Sequence, residues 1–246
     1  PEAVEEWWWR QASSKWPDSS EEKLLNSMRK EIVEQSDRFN KTRDFESSSY
    51  GSRDLSILSY GNFFFPRTWQ AMSYALAEVY SFRDWKTPKK GPLRILDLGS
   101  GSGASGLACL FLLRHWRIEN PISLEAWDYS SKSLGILKSL HRACPDLWPD
   151  SKVMTKRKDL RYALSKEDSR QFDLVVMSFS LNEILESEEN EQKLVWLDQI
   201  TQYLKPNGFL IILEPAESDT CNNLQESSRI LTEGSSQLYQ HGPYFN

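Results

Sequence analysis

From about residue 91 onward, short apolar runs alternate with stretches in which apolar residues recur at helical spacing. Five runs predict β-strands: LRILDLG, ISLEAWD, KVMTKRKD, FDLVVMSFS and GFLIILEP. The stretches between them predict helices over Ser105 to about Trp116, Ser131 to Cys144, Glu188 to Leu204, and from Glu217 onward. The runs DLVVMSF and FLIIL are almost continuously apolar, which is typical of strands covered on both faces. This alternation predicts an α/β fold with a doubly wound, mostly parallel sheet.

The chain before residue 91 shows helical spacing and a high density of aromatic residues instead. The segment SSEEKLLNSMRKEIVEQSDRF predicts a helix, because Ser19 and Glu22 have the spacing of a capping box at its start. The apolar stripe of this helix is predicted to consist of Leu25, Met28, Ile32 and Phe39. The polar segment SSSYGSRDLS predicts a break after the helix.

A second N-terminal helix is predicted by FFFPRTWQAMSYALAEVY, with Pro66 near its start. Its apolar stripe is predicted to consist of Trp69, Met72, Leu76 and Val79. The segment KTPKKGP is rich in Pro, Gly and Lys and predicts a connector. We therefore divide the chain into an N-terminal helical and aromatic cap region, residues 1–90, and an α/β core, residues 91–246.

Composition narrows the classes of protein that fit. The 246 residues are 39% hydrophobic and 26% charged, with a net charge of −5, which is ordinary for a soluble protein. No apolar run approaches the roughly 18 residues that a membrane span needs, so we expect no membrane interaction. Three cysteines and three histidines are scattered, so we expect no disulfide framework and no metal site. This usage suits a reducing compartment, either the cytoplasm or, in a eukaryote, the mitochondrial or plastid matrix, and we expect a monomer.

The segment LRILDLGSGSGASGLACLFLL places four glycines, at 99, 101, 103 and 106, between a predicted strand and a predicted helix. In a parallel sheet, the first turn from strand to helix is a ligand site, and glycines there let the backbone approach the ligand closely. The spacing Gly101-x-Gly103-x-x-Gly106 also fits a dinucleotide fingerprint. An oxidoreductase that uses NAD is therefore one alternative.

Three acidic residues at strand ends favour a different ligand. Asp97 lies two residues before the first glycine, where a buried carboxylate suits a ligand with a cationic end, such as the ammonium group of an amino acid. Asp128 ends the second strand, where a carboxylate can accept both ribose hydroxyls. Asp159 follows the third strand, where it can accept an adenine amino group. No residue suited to a hydride relay is evident.

This ordered set resembles the class I methyltransferases that depend on S-adenosylmethionine, over about residues 91–216. The resemblance implies a Rossmann-like sheet with S-adenosylmethionine as cofactor. It implies that the glycine loop lines the cofactor, that Asp97 supports its methionine end, that Asp128 binds the ribose, and that Asp159 lies near the adenine. The implied cofactor-binding residues are Asp97, Gly99, Ser100, Gly101, Gly103, Asp128, Tyr129, Asp159 and Leu160.

A narrower resemblance covers most of the chain. The segments SDRFNKTRDFESSSYG, SYGNFFFPRTWQAMSYALAEV, LDLGSGSGASGLA, SFSLNEI and LIILEPA are similar to the methyltransferase-like family linked to assembly of the small, mitochondrial-type ribosomal subunit. This resemblance implies a target in RNA or the ribosome, or, alternatively, a ribosome-assembly factor that binds the cofactor without catalysis. Better-known members hold an iron–sulphur cluster after the EP strand. We expect that segment, and the last antiparallel strand pair, to lie outside this chain.

The acceptor is expected near the segment after the fourth strand, Ser180 to Glu183. Glu183, with Asn182, is the candidate for a general base or for a group that orients the acceptor. The alternative is a structural role, in which Glu183 is a charge at a helix N-terminus and Asn182 is the cap. The sequence has neither the Asn/Asp-Pro-Pro-aromatic motif of many base methyltransferases nor a Pro-Cys nucleophile.

Three further features have both a functional and a structural interpretation. A basic cluster of Lys152, Lys156, Arg157, Lys158 and Arg161 either contacts RNA phosphates or forms a solvated face. The aromatic segment from Phe63 to Pro66, with Tyr60, either covers the cofactor or stacks on a base, or it packs between the two halves of the chain. The tryptophans at 7, 8 and 9 either pack against helices or form a partner surface.

Overall fold

The computed structural model describes residues 1–37, 53–81, 85–162, 171–185, 190–233 and 238–242. The helices are α1 (Glu2–Lys15), α2 (Glu21–Asp37), α3 (Asp54–Ser81), α4 (Ala104–His115), α5 (Ser131–Ala143), α6 (Leu181–Leu185), α7 (Asn190–Thr201) and α8 (Ser218–Glu233), with a 3-10 turn at Pro145–Leu147. The strands are β1 (Leu93–Leu98), β2 (Ile122–Asp128), β3 (Ser151–Arg157), β4 (Phe172–Ser178) and β5 (Leu204–Leu213).

The five strands form one parallel sheet in the order β3-β2-β1-β4-β5. At its centre, Leu98 of β1 is paired with Trp127 of β2 on one side and with Met177 of β4 on the other. The chain moves outward from β1 through β2 and β3, and then adds β4 and β5 on the opposite side. This reversal creates a crevice outside the carboxyl ends of β1 and β4, where open α/β sheets bind ligands. The predicted doubly wound sheet is confirmed.

Two hydrophobic clusters cover the two faces of the sheet. Ile95 and Leu174 belong to the cluster that includes α1, α3, α4 and α5. Leu96 and Val175 belong to the other cluster, which includes α7. Because consecutive residues of a strand point to opposite faces, a strand covered on both faces must be apolar at consecutive positions. This explains the continuous apolar runs in the sequence.

The first predicted N-terminal helix corresponds to α2, but its cap and its buried stripe differ from the prediction. The Oγ of Ser20 accepts the N–H of Lys23 at 3.3 Å, so the predicted cap at Ser19 is wrong. Leu25 is 41% exposed and does not belong to the buried stripe, whereas Leu24 is buried. The helix starts one residue later than the capping-box spacing indicated. Its buried face differs because it includes the polar residues Glu31 and Gln35, which an apolar stripe does not reveal, and Gln35 donates to the carbonyl of Ser56 in α3.

The second predicted helix corresponds to α3, which starts at Asp54, so Pro66 lies in its interior and the prediction that Pro66 is near the start is wrong. A proline inside a helix costs about 3 kcal/mol. The helix continues because residues before the proline, such as Ile57 and Phe65, are buried in the cluster shared with α1 and α2. The predicted stripe is confirmed as buried: Trp69, Met72, Leu76 and Val79. Phe39 and most of the predicted break lie outside the described residues.

The tryptophan triplet packs inside the N-terminal region. Trp8 is only 1% exposed, and its ring packs edge-on against Phe65 with 5.3 Å between ring centroids. The ring also lies on Gly61 of α3, where a Cβ would come within 2.1–2.4 Å of three ring atoms. Trp7 and Trp9 are partly buried against the same cluster. The triplet therefore has the packing role, and only glycine at position 61 leaves room for it.

One carboxylate connects the N-terminal region to the α/β core. Asp54, at the start of α3, forms an ion pair with Lys15 of α1 at 2.7 Å and a second one with Lys132 of α5. Hydrogen bonds from these two ammonium groups lower the pKa of Asp54. Helices from both halves of the chain thus meet at one charged group.

The boundary between α7 and β5 differs from the prediction. The helix predicted over Glu188 to Leu204 ends at Thr201, and Leu204 already begins β5. The strand therefore includes the segment LKPNG, for which a turn was predicted. The turn survives as an irregularity, because Asn207 has a φ of 64° and the pairing of β5 with β4 shifts register there.

Within the described ranges, no helix is both long and apolar enough to cross a membrane. The same residues contain no group of three or more His, Cys, Asp or Glu side chains suited to a metal ion.

Candidate functional site

A cavity of about 1010 Å³ opens at the carboxyl ends of β1, β2, β4 and β5. Its lining comes from both halves of the chain. The core supplies the glycine loop, the residues after β2 and β3, the turns after β4 and β5, and residues of α7 and α8, while α2 and α3 supply the N-terminal part of the lining. The volume lies at the upper end of the range of about 300–1,000 Å³ that is typical of ligand pockets. It can hold a cofactor together with part of an acceptor.

The glycine loop has the conformation that its sequence predicts. Gly99, Gly101 and Gly103 all have positive φ values, of 68°, 51° and 88°. Other residues adopt such values at a cost of about 1–2 kcal/mol each. At Gly101, which lines the cavity, a Cβ would meet no protein atom within 4 Å. The space beside this backbone is therefore open to a ligand, next to the N-terminus of α4.

Asp97 lies behind the loop and is only 1% exposed. Its Oδ2 accepts the N–H of Gly106 at 2.9 Å, which fixes the first turn of α4 against β1. Burial raises the pKa of Asp97 to about 7. A buried carboxylate with one backbone partner gains most from a nearby cation. Asp97 is not among the residues that line the cavity, so its predicted contact with an ammonium group stays a prediction.

Asp128 braces the glycine loop from the end of β2. Its Oδ2 accepts the N–H of Gly101 at 2.8 Å, and its Oδ1 accepts the N–H of Ser130 at 2.7 Å. The residue is 6% exposed, and burial raises its pKa. It lines the cavity together with Tyr129. A carboxylate oxygen can accept more than one hydrogen bond, so the same group can also accept hydroxyls of a ligand.

The predicted adenine end of the site follows β3. Asp159 forms two hydrogen bonds with the guanidinium of Arg161, at 2.9 and 2.6 Å, and these bonds lower its pKa. Leu160 is buried, and its carbonyl accepts the indole N–H of Trp196 at 3.0 Å. Asp159, Leu160 and Arg161 all line the cavity. The carboxylate of Asp159 is therefore already paired with an arginine, which the sequence did not indicate.

The turn after β4 touches the glycine loop directly. A Cβ on Gly99 would lie 2.5 Å from the Oγ of Ser180, so the two segments fit only because residue 99 is glycine. That Oγ donates to the carbonyl of Leu98 at 3.3 Å. The neighbouring Phe179 has a φ of 55°, a strained value for a bulky residue, and it lines the cavity. The turn that should face the acceptor is thus held against the cofactor loop.

Asn182 and Glu183 both line the cavity, as predicted. Glu183 lies in the first turn of α6, which agrees with the structural interpretation of its charge. Asn182 is inside α6, and its side-chain amide donates to Thr220 Oγ1 of α8 at 3.3 Å, so the idea that Asn182 is the helix cap is wrong. The cap position falls at Ser180, because the helix begins earlier than the motif suggested.

Glu214, which follows β5, is a cavity residue that the sequence did not single out. Its Oε1 accepts the N–H of Leu181 at 2.8 Å, and the N–H groups of Ser180 and Asn182 also lower its pKa. Burial has the larger effect and raises the pKa to about 7. Its Oε2 is buried and has no hydrogen-bond partner among the described residues. The EP dipeptide at a strand end was the available signal, but the pairing with the turn after β4 was not visible in the sequence.

An aromatic part of the cavity lining comes from α3. Tyr60 stacks on Phe64 with 5.8 Å between ring centroids, Phe63 meets Phe64 edge-on at 5.0 Å, and the guanidinium of Arg67 lies 4.1 Å from the Phe63 ring centroid. Burial raises the pKa of Tyr60 to about 12. Phe65, which follows Phe64 in the sequence, packs in the hydrophobic core instead. The aromatic segment therefore combines both interpretations: three rings line the cavity and one packs.

The predicted site residues divide into two groups. The residues that line the cavity are Gly99, Gly101, Asp128, Tyr129, Asp159, Leu160, Asn182 and Glu183. Asp97, Ser100 and Gly103 lie behind this surface, in the loop and its support. Ser100 is 8% exposed, and its Oγ is buried without a hydrogen-bond partner among the described residues. The cavity lining thus includes most of the residues that the sequence singled out, and their roles toward a cofactor stay predictions. It also includes residues that the sequence analysis did not name, such as Glu214 and Arg67.

Part of the basic cluster packs beside the cavity. The ammonium groups of Lys156 and Lys158 lie 4.9 and 4.4 Å from the ring centroid of Trp127, which is buried. Arg157 donates to the carbonyl of Tyr129 at 3.2 Å. Lys158 also lines the cavity. The cluster therefore lies at the rim next to the residues that follow β2 and β3.

The comparison with known families decides between the cofactor classes. A family described as a methyltransferase domain matches residues 68–246, well over half of the chain. The chain belongs to this methyltransferase domain family. The match begins inside α3, so the methyltransferase domain includes the C-terminal part of this helix as well as the sheet. It favours S-adenosylmethionine over the NAD alternative.

Solved structures show the same fold as this methyltransferase domain. A putative class I S-adenosylmethionine-dependent methyltransferase from Listeria monocytogenes matches at 14% identity with a TM-score of 0.51, covering 94% of this chain and 79% of that chain. The CMeT domain of the citrinin polyketide synthase matches at 17% identity with a TM-score of 0.50, covering 90% of this chain and 58% of that chain. At such identities the likeness concerns the fold. No curated protein matches the chain.

The methyltransferase domain has a Rossmann-like sheet, the fold of the class I S-adenosylmethionine-dependent methyltransferase that it resembles. The chain covers 58% of the CMeT domain structure, which is less than two thirds of its length. The cavity residues fit the cofactor. Open space lies beside the Gly101 backbone, a buried carboxylate lies at Asp128, and the unpartnered Oγ of Ser100 lies in the described part of the loop.

Proposed function

We propose that this methyltransferase domain transfers a methyl group from S-adenosylmethionine to RNA, with the small ribosomal subunit or its RNA as target. The observation that carries the proposal is that one cavity has two kinds of lining. The glycine loop and Asp128 suit the cofactor, and the aromatic residues Phe63, Phe64 and Phe179 suit the flat face of a base.

The cofactor supplies a methyl group activated by a positively charged sulphur. The protein's part is to bind and to align, because methyl transfer from a sulphonium needs an acceptor held in line with the methyl group and little else. Asp128 holds the loop through Gly101 and offers its remaining lone pairs to ribose hydroxyls. Asp97 offers the negative charge nearest to the amino-acid end, behind the loop.

The aromatic residues of the cavity lining support a nucleobase as the methyl acceptor. Proteins that recognise single-stranded RNA stack unpaired bases on aromatic side chains and arginine planes. Tyr60, Phe63 and Phe64 form such a wall on α3, and Arg67 lies over the Phe63 ring. A base stacked on these rings would face the turn after β4.

The choice of partner is supported by the basic rim and by the resemblance to the ribosome-assembly family. Lys156, Arg157 and Lys158 lie together at the end of β3, beside the cavity. Phosphate groups would bind there by releasing counterions. The chain carries a net charge of −5, so binding away from this rim is disfavoured and a particular docking site is favoured.

The cofactor part of the proposal is tested by calorimetric titration. S-adenosylmethionine, or its demethylated product, should bind to the wild-type protein and NAD should not. Asp128→Ala should weaken binding by about 1–3 kcal/mol, which is about 5- to 150-fold, because hydrogen bonds to the ribose and to the loop are lost. Unchanged affinity in this variant would remove Asp128 from the cofactor site.

The partner part is tested by co-sedimentation with small ribosomal subunits. Reversing Lys156, Arg157 and Lys158 to glutamate should abolish co-sedimentation. Reversing Lys156 alone, which does not line the cavity, should weaken co-sedimentation and leave S-adenosylmethionine affinity unchanged. Wild-type binding should fall with salt, with a log–log slope of about 0.7 for each phosphate contacted on a single strand. A matched control reverses three exposed lysines of the connector, Lys86, Lys89 and Lys90.

Each outcome of the partner test has a clear meaning. Equal loss in both triple variants would mean that overall charge, and not the rim, determines binding. No binding of the wild type at low salt would refute the ribosomal target. Binding of cofactor and subunit without transfer of labelled methyl groups to RNA would favour the alternative, an assembly factor without catalysis.

A further inference from the structure

The unpartnered oxygen of Glu214 calls for a hydrogen-bond donor that the described protein does not supply. One oxygen of this carboxylate is held by the N–H of Leu181, while Oε2 is buried and without a partner among the described residues. A buried carboxylate oxygen with no donor is costly, so each such group in a native protein needs an explanation, such as a catalytic role or a bound water. Glu214 lines the cavity, so a ligand bound there can supply the missing donor.

Glu214 is linked through one turn of the chain to the glycine loop, where the methyl donor is proposed to bind. Its carboxylate binds the turn of residues 180–182, and Ser180 in that turn touches the cofactor loop at Gly99. The turn of residues 180–182 thus lies between Glu214 and the glycine loop and contacts both. It follows β5 directly, and its carboxylate is fixed by backbone N–H groups. This is a rigid mounting of the kind that a reacting group requires.

We infer that Glu214 is a catalytic residue, whose Oε2 accepts the hydrogen bond of the N–H or O–H at the methyl acceptor and takes its proton during transfer. The inference rests on the proposed function, since it assumes methyl transfer in this cavity. The acceptor atom forms a bond to the methyl carbon as the carbon–sulphur bond breaks. The electron pair of that bond stays on sulphur, and the acceptor's proton passes to the carboxylate and then to solvent.

Glu214 suits this role better than Glu183, the base suggested by the sequence. Glu183 lies in the first turn of α6, a position that suits a structural charge whether or not the residue reacts. Burial, by contrast, raises the pKa of Glu214 to about 7, near the value at which a carboxylate both accepts and releases a proton readily. The acceptor class that follows is one with an exchangeable proton on nitrogen or oxygen, such as an amino, amide or hydroxyl group.

The test needs no identified acceptor. Sinefungin is an analogue of S-adenosylmethionine with an amine in place of the transferred methyl group, so its amine reports on groups at the transfer point. S-adenosylhomocysteine lacks any group there. We expect the wild-type protein to bind sinefungin about tenfold more tightly than S-adenosylhomocysteine, a difference of about 1.4 kcal/mol by calorimetry. Glu214→Gln should reduce this ratio to near one, while Glu183→Gln should preserve it.

The ratio separates a catalytic position from a structural role. If Glu214 only stabilised the turn, Glu214→Gln would weaken both analogues equally and leave the ratio unchanged, which would overturn the inference. Loss of the ratio in Glu183→Gln alone would transfer the role to Glu183 and would also overturn it. Should Glu214→Gln fail to fold, Glu214→Asp keeps the charge with a shorter reach and is expected to give an intermediate ratio.

The wild-type protein alone also distinguishes failure of the Glu214 role from failure of the proposed function. Equal affinity for sinefungin and S-adenosylhomocysteine would overturn the inference about Glu214 and leave the proposed cofactor standing. Failure to bind S-adenosylhomocysteine at all would refute the proposed function, and the inference with it.

Discussion

The glycine loop gives the sharpest prediction about the cofactor, through the variant Gly101→Ala. Gly101 has a φ of 51°, and a Cβ added there would meet no protein atom within 4 Å. The protein itself should therefore lose only the cost of placing alanine in the left-handed region, about 1–2 kcal/mol of unfolding free energy. Cofactor affinity should fall as well, because the new methyl group would occupy space at the cavity surface where the ligand approaches the backbone.

A matched control separates backbone strain from steric exclusion of the ligand. Gly91 has a φ of 81°, and a Cβ added there would likewise meet no protein atom within 4 Å, but it lies in the connector before β1, outside the cavity lining. Gly91→Ala should lower the unfolding free energy by a similar amount, about 1–2 kcal/mol, and leave S-adenosylhomocysteine affinity unchanged. Gly101→Ala should weaken that affinity by about 10- to 100-fold, or about 1.4–2.7 kcal/mol.

The assay combines urea unfolding with calorimetric titration of both variants at equal protein concentration. If Gly101→Ala binds S-adenosylhomocysteine as tightly as the wild type, the backbone at residue 101 does not contact the ligand and the proposed placement of the cofactor is wrong. If both variants lose affinity to the same degree, the effect comes from strain or from loosening of the sheet. The glycines would then have a folding role only.

Two other changes test the packing and the electrostatics. Gly61→Ala should lower the free energy of unfolding by up to about 2 kcal/mol, because overlap with the Trp8 ring outweighs the gain in helix propensity. Gly135 lies in a helix with free space around it, so Gly135→Ala should raise the free energy of unfolding by up to about 1 kcal/mol. Urea unfolding measures both changes. Equal effects at both positions would contradict the close contact between Gly61 and Trp8. Burial raises the pKa of Asp97 to about 7 from 3.8, so the folded state binds the extra proton and its stability should fall as pH rises from about 4 to 7. Asp97→Asn should remove the part of this dependence that comes from Asp97, leave the part that comes from Glu214, whose pKa is also raised to about 7, and raise stability above pH 7 by about 1–3 kcal/mol. It should also weaken cofactor binding. An unchanged pH profile in this variant would show that Asp97 is not one of the titrating groups.

The sequence was sufficient for features that are set locally. Four of the five strands follow from short runs rich in apolar residues, whereas β3 is mostly polar. The left-handed glycines follow from a residue type that adopts positive φ at no steric cost. Asp128 was predicted because it ends a strand beside the loop, and it does contact Gly101. Each of these depends on neighbours in sequence or on the simple order of a parallel sheet.

The features that the sequence did not predict depend on tertiary contacts. Pro66 is a local helix-breaking signal, but burial on both sides of it overrides that signal. Glu214 acquires its character from the turn after β4, about thirty residues away in the chain, and nothing in the dipeptide EP predicts that pairing. The bond between Asp159 and Arg161 is local, yet the choice of this partner over a ligand depends on side-chain geometry that spacing does not specify.

The contact between Gly99 and Ser180 has a consequence for how such sequences can diverge. A side chain at position 99 cannot be accepted while Ser180 keeps its place, because the first added carbon would lie 2.5 Å from the hydroxyl. Shortening residue 180 to glycine first would open the space, but would give up the hydroxyl bond to Leu98. We therefore expect the two positions to change together among relatives, and in a fixed order, with residue 180 changing before residue 99. The glycine loop and the turn after β4 therefore cannot diverge independently of each other at these two positions.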